Sequence, residues 1–453
     1  MMKKSDESQT GLSGQKPGQW NNTQKYVIAL LLLVHMFNLM DRQIINVLSP
    51  AIQQDFNLSD AQIGILTGLS FALLYAVFSF PIARLADKKN RVKIISICLA
   101  FWSIMTALCG VAQNYLQILL ARAGVGIGEA GCSPPAHSLI SDYFPREQRA
   151  TALGIYSIGL TGGSLLGILI GGYLASTLGW RWALVILGIP GVLLGVIVRM
   201  TLKEPVRGAT EPLAIRQQLM ENTDSGPSVL ESLRILSGIK SYMILLVSAG
   251  ITAFGGYAFS AWIFHFIGRT HGLSYEEFTL PLAIAIGIGG GIGIYLGGIL
   301  TDYFGKKDLS SYFLIPSIVH LVSVPIFILA VWAGSPLLCF GLLFVVFALH
   351  ASVAGPYYAV VQNLAPVNLR AFAIAIFAFF TVVLGLGAGP LVTGLLSDTL
   401  AQTLGEADGL RWAITALAPL WAIAGIMTLF GRQSLIRDLS QATGSIKRAL
   451  TQF

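Results

Sequence analysis

An aspartate and an arginine sit side by side inside an otherwise apolar stretch, "LLVHMFNLMDRQIINVL", residues 32–48. They are Asp41 and Arg42. A second apolar stretch holds Arg122, Gly126 and Glu129, spaced four and three residues apart. Ionisable groups in such surroundings cost several kcal/mol unless they are paired or wetted. Their chemistry follows from their type. A carboxyl that loses water holds a proton more tightly, and an adjacent guanidinium loosens it again. A change of shape that alters wetting, or the distance to an arginine, therefore changes proton affinity. Asp41 and Glu129 are the candidate proton carriers, with Arg42 and Arg122 as modulators. Arg42 also suits an anionic head group such as phosphate, which matches its guanidinium fork. The alternative is that the four charges only lock two helices together.

The spacing says which faces these groups share. His35, Asn38, Arg42, Asn46 and Ser49 follow one another at intervals of 3, 4, 4 and 3. Those intervals keep them on one helical face. A polar stripe of this kind meets a cavity or another helix rather than lipid. Counting roughly 1.5 Å per residue puts Asp41 and Arg42 level with Arg122, and Glu129 deeper, near His35. The expected arrangement is an ion-paired layer, Asp41 with Arg42 or Arg122, and a more isolated Glu129. His35 either titrates near neutral pH or makes a structural hydrogen bond.

The elements that must position these groups are membrane helices. The 453 residues are 54% hydrophobic and 11% charged, with a mean hydropathy of +0.71. Soluble domains carry about 25% charged residues. Apolar runs predict an all-α membrane protein with twelve transmembrane helices over 27–50, 61–83, 92–112, 115–141, 149–176, 181–201, 239–268, 277–302, 310–332, 336–364, 369–399 and 411–431. Residues 27–202 and 239–431 form two six-helix bundles joined by a linker, 203–238. Of the 29 Lys and Arg residues, 23 fall in the N-terminal tail (1–26), the even-numbered connections and the C-terminal segment (432–453). The opposite loops hold only Arg181, Arg269 and Arg411. Both termini are therefore expected in the cytoplasm, and the chain in a bacterial inner membrane. The net charge of +7 reads as a topology signal, not as an affinity for nucleic acid. The polar tail has no apolar core of a signal peptide. The C-terminal segment reads as a short amphipathic helix on the inner membrane surface.

Several enzyme-like signals fall away. The four cysteines, Cys98, Cys109, Cys132 and Cys339, lie in or beside apolar spans without metal-ligand spacing, so no metal and no disulfide is expected. "GIGGGIGIYLGG" in span 8 has GxGxxG-like spacings, but no strand precedes it; close packing or bending explains it better. Trp180 and Trp182 read as interfacial anchors. No HExxH and no nucleophile elbow is present, so no catalytic residue is expected and an enzyme is disfavoured. A non-transporting receptor or scaffold is a further class.

The halves look like copies. "ARLADKKNRVK" after span 2 parallels "GGILTDYFGKKD" after span 8, at an offset of 215 between Asp87 and Asp302. "PREQRATALGIY" parallels "PVNLRAFAIAIF", at an offset of 221 between Arg149 and Arg370. Near-equal offsets argue for duplication of a six-helix unit. The pattern resembles the major facilitator superfamily over essentially the whole chain. The family signature G-x-L-x-D-R-x-G-R-R appears as Ala83 to Arg91, with Ala83 and Asn90 in place of glycines. Within the superfamily, "NLMDRQIINVLSPAI" and "RAGVGIGEAGCSPPAHSLISDYFP" are most similar to the Spinster group of lipid exporters. The anion:cation symporters share the "N-x-x-D-R" of span 1. The resemblance implies alternating access by two rocking bundles. It also implies a cytoplasmic latch of Asp87, Arg91 and Asp142, with Arg149 beside it, closing that side in the outward-facing state. The alternative is that these charges only set topology.

The second half carries no mid-span Asp, Glu, Lys or Arg. His265 and His350 are read as its ionisable candidates apart from Tyr. Phe254, Tyr257, Trp262, Phe264, Tyr357 and Tyr358 surround them, though most are packing. A charged half facing an aromatic half suits an amphiphile with one charged head. The substrate-binding candidates are His35, Asn38, Arg42, Asn46, Trp262, His265, His350 and Tyr357. The expected function is proton-coupled secondary transport, exporting a lysophospholipid or sphingolipid-like molecule. The alternative is symport of a small organic anion. The expected partners are that substrate, protons and the bilayer. No cofactor is expected beyond a proton gradient, and the protein is expected to be a monomer.

Overall fold

The computed structural model describes residues 20–210, 228–366 and 369–450. Parts of the predicted tail (1–19), linker (211–227) and C-terminal segment (451–453) lie outside the described residues. Among the described residues there is no strand. The spans are α1 (Asn22–Phe56), α2 (Asp60–Lys88), α3 (Arg91–Val111) and α4 (Tyr115–Glu129 continued by Ser133–Tyr143). Arg146–Thr201 is one helical run bent at Gly179. Its φ of 80° lies in the left-handed region, which glycine adopts without a Cβ clash. Residues 146–178 are thus α5 and 180–201 are α6. The second half comprises α7 (Lys240–His271), α8 (Tyr275–Gly305), α9 (Ser311–Val331), α10 (Pro336–Leu364), α11 (Phe372–Leu404) and α12 (Glu406–Thr415 and Ala418–Leu450).

Local sequence explains where the helices start and break. Asn21 and Gln24 form a reciprocal capping box that opens α1, satisfying two otherwise orphaned N–H groups. α4 is interrupted immediately after Glu129, where Pro134 and Pro135 supply no N–H for a continuous ladder. Residues 284–289 form a π-helical turn within α8 that overlaps the start of the glycine-rich "GIGGGIGIYLGG" stretch, where Gly293 and Gly297 pack closely against the backbone of α10 at Ala348 and Ser352. The C-terminal segment continues α12 without a break to Leu450, instead of forming a separate surface helix. Of the two expected anchors, only Trp182 is exposed; Trp180 is 6% exposed and packs edge-on against Phe56 at 5.7 Å.

The apolar packing shows how the halves sit together. At the end of the bundle away from the termini, one core joins Ile44, Leu48 and Ile52 of α1 to Trp262, Phe266 and Ile267 of α7. At the end carrying the termini there are two separate cores. One holds Val27, Ile95, Leu139 and Val198; the other holds Leu236, Tyr242, Val361 and Leu435. The bundles share one core distally; at the termini end their cores are separate, with Phe80 of α2 and Phe379 of α11 meeting across them at 5.8 Å.

Candidate functional site

The predicted groups of α1 and α4 do meet, but in a different pairing. Arg42 Nε donates to Glu129 Oε2 at 2.6 Å. The Glu129 side chain is fully buried, while that of Arg42 is 20% exposed. The expected isolation of Glu129 is therefore corrected. Side chains on a helix lean toward its N-terminus, so Arg42 drapes back down α1 to the level of Glu129. Arg122 lies on the antiparallel α4, leans the opposite way, and sets its guanidinium 4.6 Å over the Phe71 ring. Arg42 lies 5.1 Å over Phe71 and 4.9 Å over Tyr75, so Phe71 meets two cations. A Cβ on Gly126 would come within 2.5 Å of Phe71 O; a bare glycine lets α2 approach α4 here.

Asp41 accepts from Thr106 Oγ1 at 2.6 Å, not from either arginine. Asp41 Oδ2, Glu129 Oε1 and Arg122 Nε are buried without a hydrogen-bond partner. The two carboxyl groups lie within hydrogen-bonding reach of each other, and Arg122 acts electrostatically on Asp41. Two arginines and two carboxylates sum to zero charge. One proton bound between the carboxyls would satisfy a bare oxygen and leave the cluster at +1.

The remaining α1 candidates divide. His35 stacks on Tyr156 at 4.3 Å, with Nδ1 2.9 Å from Tyr156 O, which is the structural bond to α5. Asn38 is buried with its Nδ2 unpartnered. Asn46 is half-buried, and its carbonyl accepts from Ser49 Oγ at 2.7 Å. Tyr257 of α7 interacts electrostatically with Arg42 and Tyr75. Tyr257 and Tyr358 are 37% and 42% exposed.

Two C-half candidates lie in the sealed distal core. Trp262 is wholly buried and donates Nε1 to Pro390 O at 2.9 Å. His265 is buried beside Ser49 at 3.4 Å. The other two lie in a neutral network. His350 Nε2 is 3.1 Å from Ser323 Oγ, and Tyr357 Oη is 3.0 Å from His320 Nε2. His320, fully buried on α9, is an ionisable group the sequence reading missed. A lone histidine inside span 9 was its signal.

The gates differ at the two ends. Arg91, 1% exposed, donates to Asp142 at 2.5 Å, to Ser138 at 2.7 Å and to Glu204 at 2.7 Å. Arg149 donates to the carbonyls of Ser141 and Phe144 and to Thr210. Asp87 is exposed and has no ion-pair partner among the described residues. The Arg91–Asp142 half of the latch is thus formed and the Asp87 half is open. At the distal end, Asp60 takes a two-pronged contact from Arg269 at 2.7 and 2.8 Å. Asp398 of α11 accepts from the N–H groups of Asp60 and Ala61 at 2.9 and 2.8 Å, a carboxylate on a helix N-terminus. Sequence reading missed Asp60, Asp398 and Glu204, and counted Arg269 only as a loop charge.

Residues 31–390 match the family model of the Major Facilitator Superfamily. The chain belongs to that superfamily. It is an integral, multi-pass membrane transporter, and its fold follows that of a bacterial homologue of the human lysosomal transporter Spinster, crystallised inward-facing and unoccupied. That structure is similar with a TM-score of 0.81 and 30% identity, over 93% of this chain and 99% of the other. An MFS-type efflux pump of Mycolicibacterium smegmatis is 33% identical, over 88% of this chain and 90% of its own. Two more distant relatives differ in cargo. A hexuronate transporter of Bacillus subtilis is 26% identical, over 90% of this chain and 95% of its own. A sphingosine-1-phosphate transporter of Danio rerio is 25% identical, over 83% of this chain and 76% of its own.

Proposed function

We propose that this protein is a proton-linked transporter of a single-chain amphiphile with an anionic head, working by alternating access. One observation carries the reading. Arg42 spends its Nε on Glu129, while its terminal nitrogens have no protein partner among the described residues and its side chain is reached by solvent. Glu129 and an anionic cargo head therefore compete for one guanidinium. Protonating the Asp41–Glu129 pair frees Arg42 and makes the cluster positive, so cargo binds. Ionisation recaptures Arg42, so cargo leaves. Proton and cargo binding reinforce each other, and the same coupling acts in both directions. Aromatic Tyr75 and Tyr257 beside Arg42, and a C-half free of mid-span charge, suit an apolar tail.

The Lys and Arg distribution favours cytoplasmic termini, and on that reading the unpaired Asp87 and the separate cores correspond to an inward-facing state. Purified protein in vesicles with an imposed pH gradient tests the reading. A labelled lysophospholipid is expected to move with the proton, and a labelled hexuronate poorly. Cargo affinity should rise as pH falls, and Glu129→Gln should fix it at the acidic value at every pH. Hexuronate moving faster than the lysophospholipid favours the small-anion alternative. Export of lysophospholipid driven by protons moving the opposite way would overturn the sign of coupling.

A further inference from the structure

A short helix, Val229–Ser237, runs into the start of α7. Ser228 Oγ caps it by accepting from Glu231 N at 3.2 Å, and Gly238 N closes its last turn on Arg234 O at 3.2 Å. Helices of this length are marginal alone and depend on burying a face. Leu236 supplies one anchor, in the core of Tyr242, Val361 and Leu435. Leu230, Leu233, Arg234 and Ser237 fall at i, i+3, i+4 and i+7, so they share a face. The leucines of that face are not covered by protein: Leu230 is 78% exposed.

That face borders a groove of about 520 Å³ between the helix, α7 and α11. Its walls are Leu233, Leu236, Tyr242, Met243, Leu246 and Ile376. Tyr242 spends its hydroxyl on Ala373 O at 2.9 Å, so it offers the groove ring carbon. Of the lining residues Arg234 alone is charged. Its guanidinium has no ion pair and no hydrogen bond among the described residues. Glu231, three residues before it, does not line the groove. The groove also has a definite depth. α7 begins at Lys240, so Leu246 lies only about 9 Å along its axis from the start of the span. Met243 and Val247, in the same two turns, are exposed on the outside of the bundle. The groove therefore runs from the level of the lipid head groups into the hydrocarbon and is open to the side where the bilayer stands. An unpaired guanidinium sits at its polar end.

We propose that this groove is a binding site for an anionic phospholipid of the leaflet at the termini end, with one acyl chain along Leu233, Met243 and Leu246 and the phosphate on Arg234. The guanidinium fork matches phosphate. A choline head brings a second cation to the same place, so a head with net negative charge is preferred. The site stands apart from the cargo reading. It is built by the linker helix and the C-terminal bundle, and it uses none of Asp41, Arg42, Arg122 or Glu129. Its effect is to hold the helix that leads from the first bundle against the second.

Phosphatidylglycerol and phosphatidylcholine with the same diazirine-bearing acyl chain test this on the purified full chain in nanodiscs. Crosslinked peptides are mapped by mass spectrometry, with exposed Ile97 and Ile104 of α3 as the reference lipid surface. Relative to that surface, phosphatidylglycerol is expected to label residues 229–246 about fivefold more than phosphatidylcholine, the preference one surface arginine confers. Arg234→Gln should reduce its labelling to the phosphatidylcholine level. Leu233→Trp, which fills the groove, should lower labelling by both lipids. Equal labelling by the two lipids overturns the inference, as does labelling of 229–246 no higher than that of α3. A lysophospholipid carrying the same probe and labelling the groove in preference to phosphatidylglycerol also overturns it, because the groove then receives cargo. Hydrogen exchange gives a second readout. Amides of 229–237 should exchange more slowly in phosphatidylglycerol than in phosphatidylcholine nanodiscs, and Arg234→Gln should remove the difference. Equal exchange of the wild-type helix in both lipids shows that lipid does not hold it, and overturns the site.

Discussion

The two bundles share a fold and differ in the polar chemistry at their centres. In the first, α1 and α4 bring together Asp41, Arg42, Arg122 and Glu129, with only Arg42 reaching water to any extent. In the second, α7, α9, α10 and α12 bring together hydroxyls, carbonyls and two imidazoles. A proton changes the first cluster's net charge and its pairing. The second cluster is a set of neutral donors and acceptors whose geometry requires no charge. The duplicated bundles thus differ: one holds a charged cluster that a bound proton would alter, the other a neutral hydrogen-bonded network. The ends differ in the same instructive way. Distally, charge pairs and one continuous core bind the halves together; at the termini end the cores are two and Asp87 is exposed and unpaired among the described residues.

The sharpest way to break the contrast is to remove Arg42. Its loss leaves Glu129, fully buried, without its cation. Stranding a buried charge in this way costs about 3–5 kcal/mol. Arg42→Ala should therefore abolish transport and lower thermal stability in detergent. Adding Glu129→Gln should restore the stability and not the transport. If the single variant is as stable as wild type, Glu129 is already neutral and the competition for Arg42 does not exist.

An intermediate effect is expected at the distal seal. Asp60→Asn removes the charge that Arg269 grips with two nitrogens. The inward-facing population should fall about tenfold relative to the outward-facing one, a change of about 1.4 kcal/mol. Spin labels on the exposed distal residues Gln54 and Glu406 read this as a second, longer distance. An unchanged distance distribution means that the apolar core alone closes this end.

These contrasts were unevenly legible in the sequence. Apolar run length, lysine and arginine bias and the repeat offsets conveyed the twelve helices and their division, because a bilayer imposes those rules on every span. The four charges of α1 and α4 were legible as residues sharing a depth. Their pairing was not, since it depends on the direction in which each side chain leaves its helix, and α1 and α4 run oppositely. Counting rise per residue placed Arg42 beside Arg122; the lean of the side chain placed it on Glu129. The distal seal was invisible for another reason. Asp60, Arg269 and Asp398 are separated by more than a hundred residues and sit at span ends, where charges are normally solvated. Only tertiary packing makes partners of them. His320 was legible in principle, as a polar residue inside an apolar span, but its meaning came from Tyr357 and Thr252, on two other helices.

The smallest expected effect tests whether the second half is as insensitive to charge as the contrast requires. Tyr357→Phe removes one hydroxyl from the neutral network. His320 Nε2 keeps Thr252 Oγ1 as a partner at 3.2 Å, and Ser248 Oγ keeps its bond to Ala424 O. Two hydrogen bonds are lost, to Ser248 and His320, each worth about 1 kcal/mol. The melting temperature should drop slightly, and the dependence of cargo affinity on pH should keep its wild-type shape. That shape is the informative readout. If the single hydroxyl alters it, protons reach the C-terminal bundle during the cycle, and the division of labour between the two halves fails at its neutral side.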